Sequence, residues 1–370
     1  MATKSEILIV GGGVAGLALA TRLGETLGKR GEARITLIDK SFPHVWKPML
    51  HCFAAGTVQN ENNRISFMSQ ASRHYFDFWP GEVIAVDREN RKAVLGPVQS
   101  TDGTVVLEER TVEYDALVRA IGSCANDFGT PGVAEHCLFI DNLVEANGFN
   151  EKFRLELLKA FAANKELDIA IVGGGATGTQ LAAELHKALD LVRLYSFEGN
   201  PPRLKITLLE AGARILPAFP EQVSEAARKQ LEHIKVEVRT GAQVSGADAG
   251  GFMLKDGSYV PATLRVWAAG VKAPTVTTRF GGLSLNRSGQ VIVQPNLRSV
   301  DDERIFAMGD CSFIRDEPLP PTAPLPRPQA QHLPRPQPSL HRNGPEVPHC
   351  RLRHTGATVP LGGYCGRRLL

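Results

Sequence analysis

Residues 6–16 read EILIVGGGVAG, and this stretch decides the fold. The apolar run at 7–10 predicts a short buried strand, and Gly11, Gly13 and Gly16 form the pattern GxGxxG directly after it. In a dinucleotide-binding fold the first glycine permits a tight turn, the second lets the backbone approach a pyrophosphate, and the third lets the helix pack closely on the strand. The stretch therefore predicts a strand, a phosphate-binding turn and a helix, in that order.

The residues that follow complete one dinucleotide-binding unit. Val14 and Ala15 open a segment that continues over 17–27 with apolar residues at helical spacing, and the free N–H groups of a helix N-terminus attract phosphates. A second apolar strand at 35–38 ends in Asp39, where a carboxylate can accept hydrogen bonds from ribose hydroxyls. A lone GxGxxG is a weak signal, but the complete order of elements predicts a bound dinucleotide.

The same order of elements returns later in the chain. A strand at 168–172, a helix at 181–191 and a strand at 205–209 frame a second GxGxxG. The residues of this second unit that we expect around a cofactor are Gly173, Gly175, Ala176, Thr177, Gly178 and Glu210. Two complete units predict two domains that bind two cofactors, rather than one site.

Three later strands are expected to deliver small or acidic residues to the cofactors. These strands, at 114–121, 264–268 and 304–308, end at Gly122, at Ala269 with Gly270, and at Gly309 with Asp310. A carboxylate at 310 can hold a ribityl hydroxyl or shape the pyrophosphate site.

The acids at the strand ends also predict the choice of nicotinamide cofactor. Asp39 and Glu210 both repel a 2′-phosphate, and a carboxylate at this place is typical of NAD rather than NADP sites. We therefore expect NADH, although Arg214 nearby leaves NADPH open.

The composition excludes several classes of protein. The chain is 43% hydrophobic and 22% charged, with a net charge of only +3, so it reads as a globular protein without a nucleic-acid partner. Its six cysteines form no close pair, which argues against a zinc site and a disulfide framework and fits a reduced cytosolic setting. No cluster of metal-binding residues stands out in the sequence, so we expect no bound metal. No apolar run approaches the roughly 20 residues that a membrane span needs.

Longer stretches of the chain resemble the type II NADH dehydrogenases, which are FAD-dependent members of the pyridine nucleotide-disulfide oxidoreductase superfamily. The stretches that carry the resemblance are DKSFPHVWKPMLHCFAAG at 39–56, ANDFGTPGVAEHCLFIDN at 125–142, IVGGGATGTQLAAEL at 171–185, LEAGARILPAFP at 209–220, VWAAGVKAP at 266–274 and IFAMGDC at 305–311. Together they make the resemblance specific, and it extends over most of the chain.

The resemblance and the two repeated units imply an α/β fold. We expect two Rossmann-like (FAD/NAD(P)-binding) three-layer domains, with the NADH domain inserted in the FAD domain. The expected limits are 1–155 and 286–340 for the FAD domain, 156–285 for the NADH domain, and 341–370 for an irregular tail.

The resemblance further implies noncovalent FAD in the first unit, NADH in the second, hydride transfer from nicotinamide to flavin, and a quinone as acceptor without proton pumping. The expected FAD contacts are Gly11, Gly13, Val14, Ala15, Gly16, Asp39, Lys47, Val83, Gly122, Asp310 and Ala323. The expected NADH contacts are the six residues of the second unit together with Ala269 and Gly270.

Lys47 is a catalytic candidate because a nearby cation stabilises reduced, anionic flavin. The second candidate is Gln180. The resemblance also implies a cytoplasmic protein in peripheral contact with the inner face of the cell membrane, and it allows a homodimer.

Single residues depart from the family pattern. Gln180 and Cys52 stand where the family usually has Glu, and Gln cannot ionise, so a proton relay to quinone through this residue would be impaired. Gln180 is equally well interpreted as a helix residue that faces the neighbouring domain. Arg119 lies in an otherwise apolar strand, where an unpaired guanidinium is costly.

The C-terminal part departs most. Residues 318–348 hold eleven of the chain's 24 prolines, where the family has a helix that points at the flavin and then a membrane-binding region. Since each interior proline costs a helix ~3 kcal/mol, we expect no helix here. Two alternatives stay open: an FAD-dependent NADH reductase with another acceptor, including a sulfide:quinone type that uses Cys124, Cys137 and Cys311, and a defective relic that only binds nucleotide.

Overall fold

The computed structural model describes residues 4–58, 63–100, 102–195 and 203–315. Ala323 and the proline-rich tail lie outside these residues. The helices are Val14–Leu23 (α1), Leu50–Ala55 (α2), Phe67–His74 (α3), Val133–His136 (α4), Leu143–Ala162 (α5), Ala176–Tyr195 (α6) and Glu221–His233 (α7). Among the described residues, no helix combines the length and the apolar character that crossing a bilayer requires.

Five parallel strands form the first sheet. Their order across the sheet is Ile305–Ala307 (β22), Ala116–Arg119 (β11), Ser5–Val10 (β1), Ala33–Asp39 (β2) and Asp77–Pro80 (β5). Ile9 and Leu37 in its centre are fully buried, as expected of a parallel sheet that is covered on both faces. Leu19 and Ala20 of α1 pack into the same core.

Four parallel strands form the second sheet. Their order is Val236–Thr240 (β15), Arg203–Glu210 (β14), Glu166–Val172 (β13) and Leu264–Trp267 (β19). Leu181 and Leu185 of α6 are fully buried against it. The predicted α/β fold with two parallel-sheet units is confirmed.

The two units also contain smaller sheets. Two of these sheets have three strands: β6, β7 and β10 (Val83–Asp87, Lys92–Leu95, Arg110–Glu113), and β16, β17 and β18 (Val244–Ala247, Gly251–Leu254, Tyr259–Pro261). Three have two strands: β3 with β4 (Pro43–Val45, Arg64–Ser66), β8 with β9 (Val98–Gln99, Val105–Leu107), and β21 with β23 (Val291–Val293, Ser312–Ile314).

A short antiparallel ribbon joins the two units. Its strands are Cys124–Ala125 (β12) and Val271–Lys272 (β20), with Cys124 opposite Lys272. Since β12 follows β11 of the first sheet and β20 follows β19 of the second, the ribbon holds the carboxyl ends of these two strands near each other.

Helix α2 belongs to the first unit by sequence but packs in the second core. All six of its residues are buried, and Phe53 lies in one cluster with Phe149 of α5 and Leu185 of α6. The whole of α5 packs on this second core and crosses residue 155, so the position of the domain limit there stays a prediction.

Candidate dinucleotide-binding sites

The strand order places one crevice in each sheet. In the first sheet, β1 lies between β2, the next strand in the chain, and β11, a much later one. In the second sheet, β13 lies in the same way between β14 and the later β19. Ligands of open parallel sheets bind outside the carboxyl ends of the strands at such a reversal. Both predicted glycine turns follow the central strand at this edge. The two turns are held alike, because Gly11 N donates to Ile38 O and Gly173 N donates to Leu209 O, both at 2.8 Å.

In the first turn, two of the three glycines are required by the chain itself. Gly11 has φ +103°, and a Cβ there would lie 2.5 Å from Ala120 O; a Cβ at Gly16 would lie 1.8 Å from Gly11 O. Gly13 differs, because the nearest atom to an added Cβ is Ala120 O at 3.9 Å. No described chain atom explains the glycine at 13, whereas a phosphate group that approaches the backbone would.

The second turn repeats this division. A Cβ at Gly173, where φ is +111°, would lie 2.6 Å from Ala268 O, and a Cβ at Gly178 would lie 2.1 Å from Gly173 O. Around Gly175 no described atom lies within 4 Å of an added Cβ. The same open position above a helix N-terminus thus occurs in both crevices, and both fit a pyrophosphate.

The helices that follow the turns suit an anion. α1 begins at Val14 after an N-cap glycine without a side-chain cap, and its first turn holds no acidic residue. The first turn of α6, with Ala176 and Thr177, also holds no acidic residue. The first N–H groups of α1 therefore remain available to a phosphate.

A carboxylate is locked beside each turn. Asp39 Oδ2 accepts a hydrogen bond from Gly12 N at 2.6 Å, and Oδ1 accepts one from Ser41 N at 2.7 Å. Glu210 accepts hydrogen bonds from Gly174 N and Gly212 N, both at 2.7 Å. Each carboxylate is thus held at the end of the second strand, where a ribose would lie.

Arg214, the residue for which the sequence left NADPH binding open, is hydrogen-bonded to backbone carbonyls of its own loop. Its Nη1 donates to Phe219 O at 2.9 Å and to Leu216 O at 3.4 Å, and its Nη2 donates to Pro217 O at 2.9 Å. These three bonds hold the guanidinium against the carbonyls of its own loop and use three of its five N–H donors.

A chain of polar groups connects the first crevice with the ribbon. Ser123 Oγ donates to Asp310 Oδ2 at 2.8 Å, and Lys47 Nζ donates to Ser123 O at 2.6 Å. Lys47 Nζ also lies 3.9 Å from Asp141 Oδ1. The structure therefore brings Lys47 and Asp310, both predicted from sequence, to the carboxyl edge of the first sheet.

Three residues of this region were missed by the sequence interpretation. They are Ser123, Asp141 and Gln290, whose Nε2 donates to Asp310 O at 2.8 Å. Asp141 had a usable signal: Asn142 caps α5 by accepting from Glu145 N at 3.0 Å, and Glu145 accepts from Asp141 N at 2.7 Å. A capping box at 142–145 could thus have placed Asp141 directly before a helix. Ser123 and Gln290 carry no such local pattern.

The other predicted residues divide by accessibility. Gly122 follows β11 with φ +68°, and Ala269 and Gly270 follow β19, so all three lie at the edges that carry the crevices. Val83 is only 3% exposed, in the first core, so that only its backbone is available to a cofactor. Gln180 is exposed on α6.

Arg119 is fully buried in β11, as the sequence suggested it would be. Its Nη2 donates to Thr277 Oγ1, and its guanidinium carbon lies 4.6 Å from the centre of the Phe280 ring. Nε and Nη1 have no hydrogen-bond partner among the described residues. Burial lowers the pKa of this guanidinium, because the charged form is poorly solvated there.

Comparison with known proteins establishes the family. A family model described as pyridine nucleotide-disulphide oxidoreductase matches residues 5–336. The chain belongs to this family. A type II NADH:quinone oxidoreductase of Haemophilus influenzae is 39% identical over 328 residues, which make up 84% of this chain and 74% of that protein. One of Staphylococcus aureus is 29% identical over 379 residues, with 98% and 89% covered. The predicted resemblance to type II NADH dehydrogenases is thereby confirmed.

Two solved structures share the fold. The structure of NDH2 from Plasmodium falciparum in complex with NADH superposes with a TM-score of 0.73 at 22% identity and covers 84% of this chain. The chain spans 65% of the length of that protein. A sulfide:quinone oxidoreductase of Aquifex aeolicus superposes with a TM-score of 0.65 at 18% identity.

Proposed function

We propose that this chain is an FAD-dependent NADH dehydrogenase that passes the electrons to a quinone without pumping protons. The observation that carries the proposal is the pair of matching crevices. Each has an open glycine above a helix N-terminus and a carboxylate locked on the glycine turn, and the β12–β20 ribbon pairs the segments that follow β11 and β19. Two dinucleotides bound in this way can bring their rings together in the space between the units.

The first crevice would hold FAD noncovalently. Gly13 and the N-terminus of α1 would receive the pyrophosphate, Asp39 the ribose, and Asp310 the ribityl chain. Bound FAD supplies the two-electron chemistry that amino acid side chains lack. Lys47, fixed on Ser123 O at 2.6 Å, would place a positive charge where negative charge is added during hydride transfer.

The second crevice would hold NADH. Gly175 and the N-terminus of α6 would receive its pyrophosphate, and Glu210 would accept hydrogen bonds from the ribose hydroxyls. Because Glu210 repels a 2′-phosphate and Arg214 is tied to carbonyls, we expect NADH to be preferred over NADPH. Ala269 and Gly270 offer a backbone without large side chains beside the nicotinamide.

Thiol chemistry with sulfide is less well supported. Burial raises the pKa of Cys137 to about 11, and it also raises the pKa of Cys124 and of the fully buried Cys311. The thiolate is the reactive form, so these cysteines are poor nucleophiles at neutral pH. The structure favours ordinary packing roles for them.

Reaching a membrane quinone requires contact with the membrane. We propose a peripheral association with the inner face of the cell membrane, and a homodimer as the oligomeric state. Cosedimentation with anionic vesicles tests the first, and the mass measured by light scattering during gel filtration tests the second.

Turnover with a soluble quinone tests the function. The purified protein should carry oxidised flavin and consume NADH when a water-soluble quinone analogue is added. NADPH and sulfide serve as alternative donors. A protein that is colourless after reconstitution with FAD would favour the defective relic, and reduction of ferricyanide without reduction of quinone would favour another acceptor.

A further inference from the structure

Lys47 and Asp141 form an ion pair in the space between the two crevices. Lys47 Nζ lies 3.9 Å from Asp141 Oδ1, and the two side chains are 43% and 22% exposed. Asp141 is not free to turn away, because its Oδ2 accepts a hydrogen bond from Ala125 N of the ribbon at 2.6 Å. The pair therefore connects Lys47 with the ribbon between the two units.

The other charged side chains around this pair have hydrogen-bond or ion-pair partners of their own. Lys272 Nζ lies 2.7 Å from Asp127 Oδ1 across the same ribbon, and Glu145 accepts from Asp141 N at 2.7 Å. Asp310 is bonded to the Ser123 hydroxyl. Among the described residues, Asp141 is the only carboxylate within ion-pair distance of Lys47.

This geometry has an electrostatic consequence for electron transfer. A hydride brings two electrons with one proton, so it adds one negative charge to whatever accepts it. Lys47 stabilises that charge, and an anion 3.9 Å from its Nζ reduces the field of Lys47 at longer range, because a close pair of opposite charges acts on a third charge as a dipole. Removing either member should change how readily the acceptor is reduced, in opposite directions.

We propose that Asp141 sets the reduction potential of the bound flavin by partly neutralising Lys47. The inference rests on the proposed function, since it assumes FAD in the first crevice. Asp141 acts by the charge that it places against Lys47 and is not a catalytic residue. It keeps the reduced cofactor a sufficiently strong donor for the next acceptor in the reaction.

Midpoint potentials of the full-length holoprotein, measured by equilibration with a redox dye, test the proposal. Asp141→Asn should raise the flavin potential, because Lys47 is then unopposed, and Lys47→Met should lower it. The double variant should lie between the two single variants, because the fields of the two charges at the flavin add. For a two-electron couple, a tenfold change in the equilibrium between oxidised and reduced flavin corresponds to about 30 mV, and a shift of that order is expected for Asp141→Asn.

Asp127→Asn is the matched control, because it also removes one carboxylate charge beside the ribbon but frees Lys272 instead of Lys47. Its effect should be smaller and should not depend on whether Lys47 is present. An Asp141→Asn potential equal to or below that of the wild type overturns the proposal, and so does a Lys47→Met potential equal to or above it. Should Asp141→Asn fail to hold flavin, Asp141→Ser takes its place with the same expected rise, and an unchanged potential there also overturns the proposal.

The results that contradict the proposed function differ from those that contradict the role of Asp141. A wild-type protein that holds flavin but is not reduced by NADH contradicts the proposed function, while the potentials still decide the role of Asp141. A protein that holds no flavin contradicts both.

Discussion

Within the two glycine motifs, Gly13 and Gly175 are the residues whose identity the described chain does not explain. Their neighbours in each motif are glycine for steric reasons internal to the fold, since an added Cβ at Gly16 or Gly178 would lie 1.8 or 2.1 Å from a backbone oxygen. At 13 and 175 there is room. The open positions therefore separate what the fold needs from what a ligand needs.

Substitutions at the open and at the crowded glycines should therefore have different effects. Gly13→Ala should fold with nearly wild-type stability but bind FAD more weakly, by about tenfold, or about 1.4 kcal/mol, because the methyl group stands where the pyrophosphate approaches. Gly16→Ala should lower the free energy of unfolding instead. Urea titrations of the apoprotein and FAD titrations separate the two effects; equal loss of stability in both variants would contradict the assignment.

Glu210 should set the preference for NADH. Glu210→Gln removes the charge that repels a 2′-phosphate and keeps an acceptor for Gly174 N, so the ratio of kcat/KM for NADH to that for NADPH should fall by about tenfold. Glu232→Gln, which removes an exposed carboxylate of α7 paired with Arg228, is the control. An unchanged ratio in Glu210→Gln would mean that the ribose lies elsewhere.

The buried guanidinium of Arg119 should lower the free energy of unfolding of the first unit. Arg119→Met keeps the linear shape and removes the two nitrogens, Nε and Nη1, that have no described partner, so the free energy of unfolding should rise by about 1–3 kcal/mol. The surface variant Arg91→Met, which breaks an exposed pair with Asp115, should change it by less than about 1 kcal/mol. A clear loss of stability in Arg119→Met would show that the guanidinium has a partner that satisfies it.

At the scale of elements, α2 is the piece that ties the two units together. It follows the Lys47 turn of the first unit and is buried between α5 and α6 of the second. His51 on α2 is buried opposite Glu184 of α6, and burial lowers the pKa of His51 while Glu184 opposes the change. The position of Lys47 therefore depends on how α2 packs.

This burial predicts a pH dependence of stability. Because the pKa of His51 is lower in the folded than in the unfolded chain, its contribution to stability is present above the ordinary histidine value of 6.5 and is lost as the pH falls below that value. His51→Gln should lose less stability than the wild type between neutral pH and about pH 5.5. Urea midpoints at both pH values test this, and identical losses in both proteins would contradict it.

At the same scale, local sequence predicted the elements that carry the cofactors but not how they meet. Strand β1, the glycine turn and α1 follow from adjacent residues with a fixed order. The ribbon of β12 and β20 has only two residues in each strand, too few for an alternation pattern. Likewise, nothing near Phe53 in the chain tells which unit its helix will pack against, because that choice depends on residues of α5 and α6 far along the sequence.

At the scale of the whole molecule, two similar units are coupled through three connections. The ribbon, α2 and the Lys47–Asp141 pair each link the first unit to the second or to the segment between them. Sequence alone predicted the two units, while the residues named as cofactor contacts stay predictions. It could not predict Asp141 beside Lys47, because their approach depends on the relative placement of the units.

The central claim is that the crevices hold a flavin and a nicotinamide within reach of each other. The most direct measurement is an anaerobic titration of the flavin-loaded protein with NADH, followed by the absorbance of oxidised flavin. The account predicts that the absorbance is bleached as NADH is added, until equimolar NADH has reduced the bound flavin. A flavin that stays oxidised in the presence of excess NADH would contradict the account.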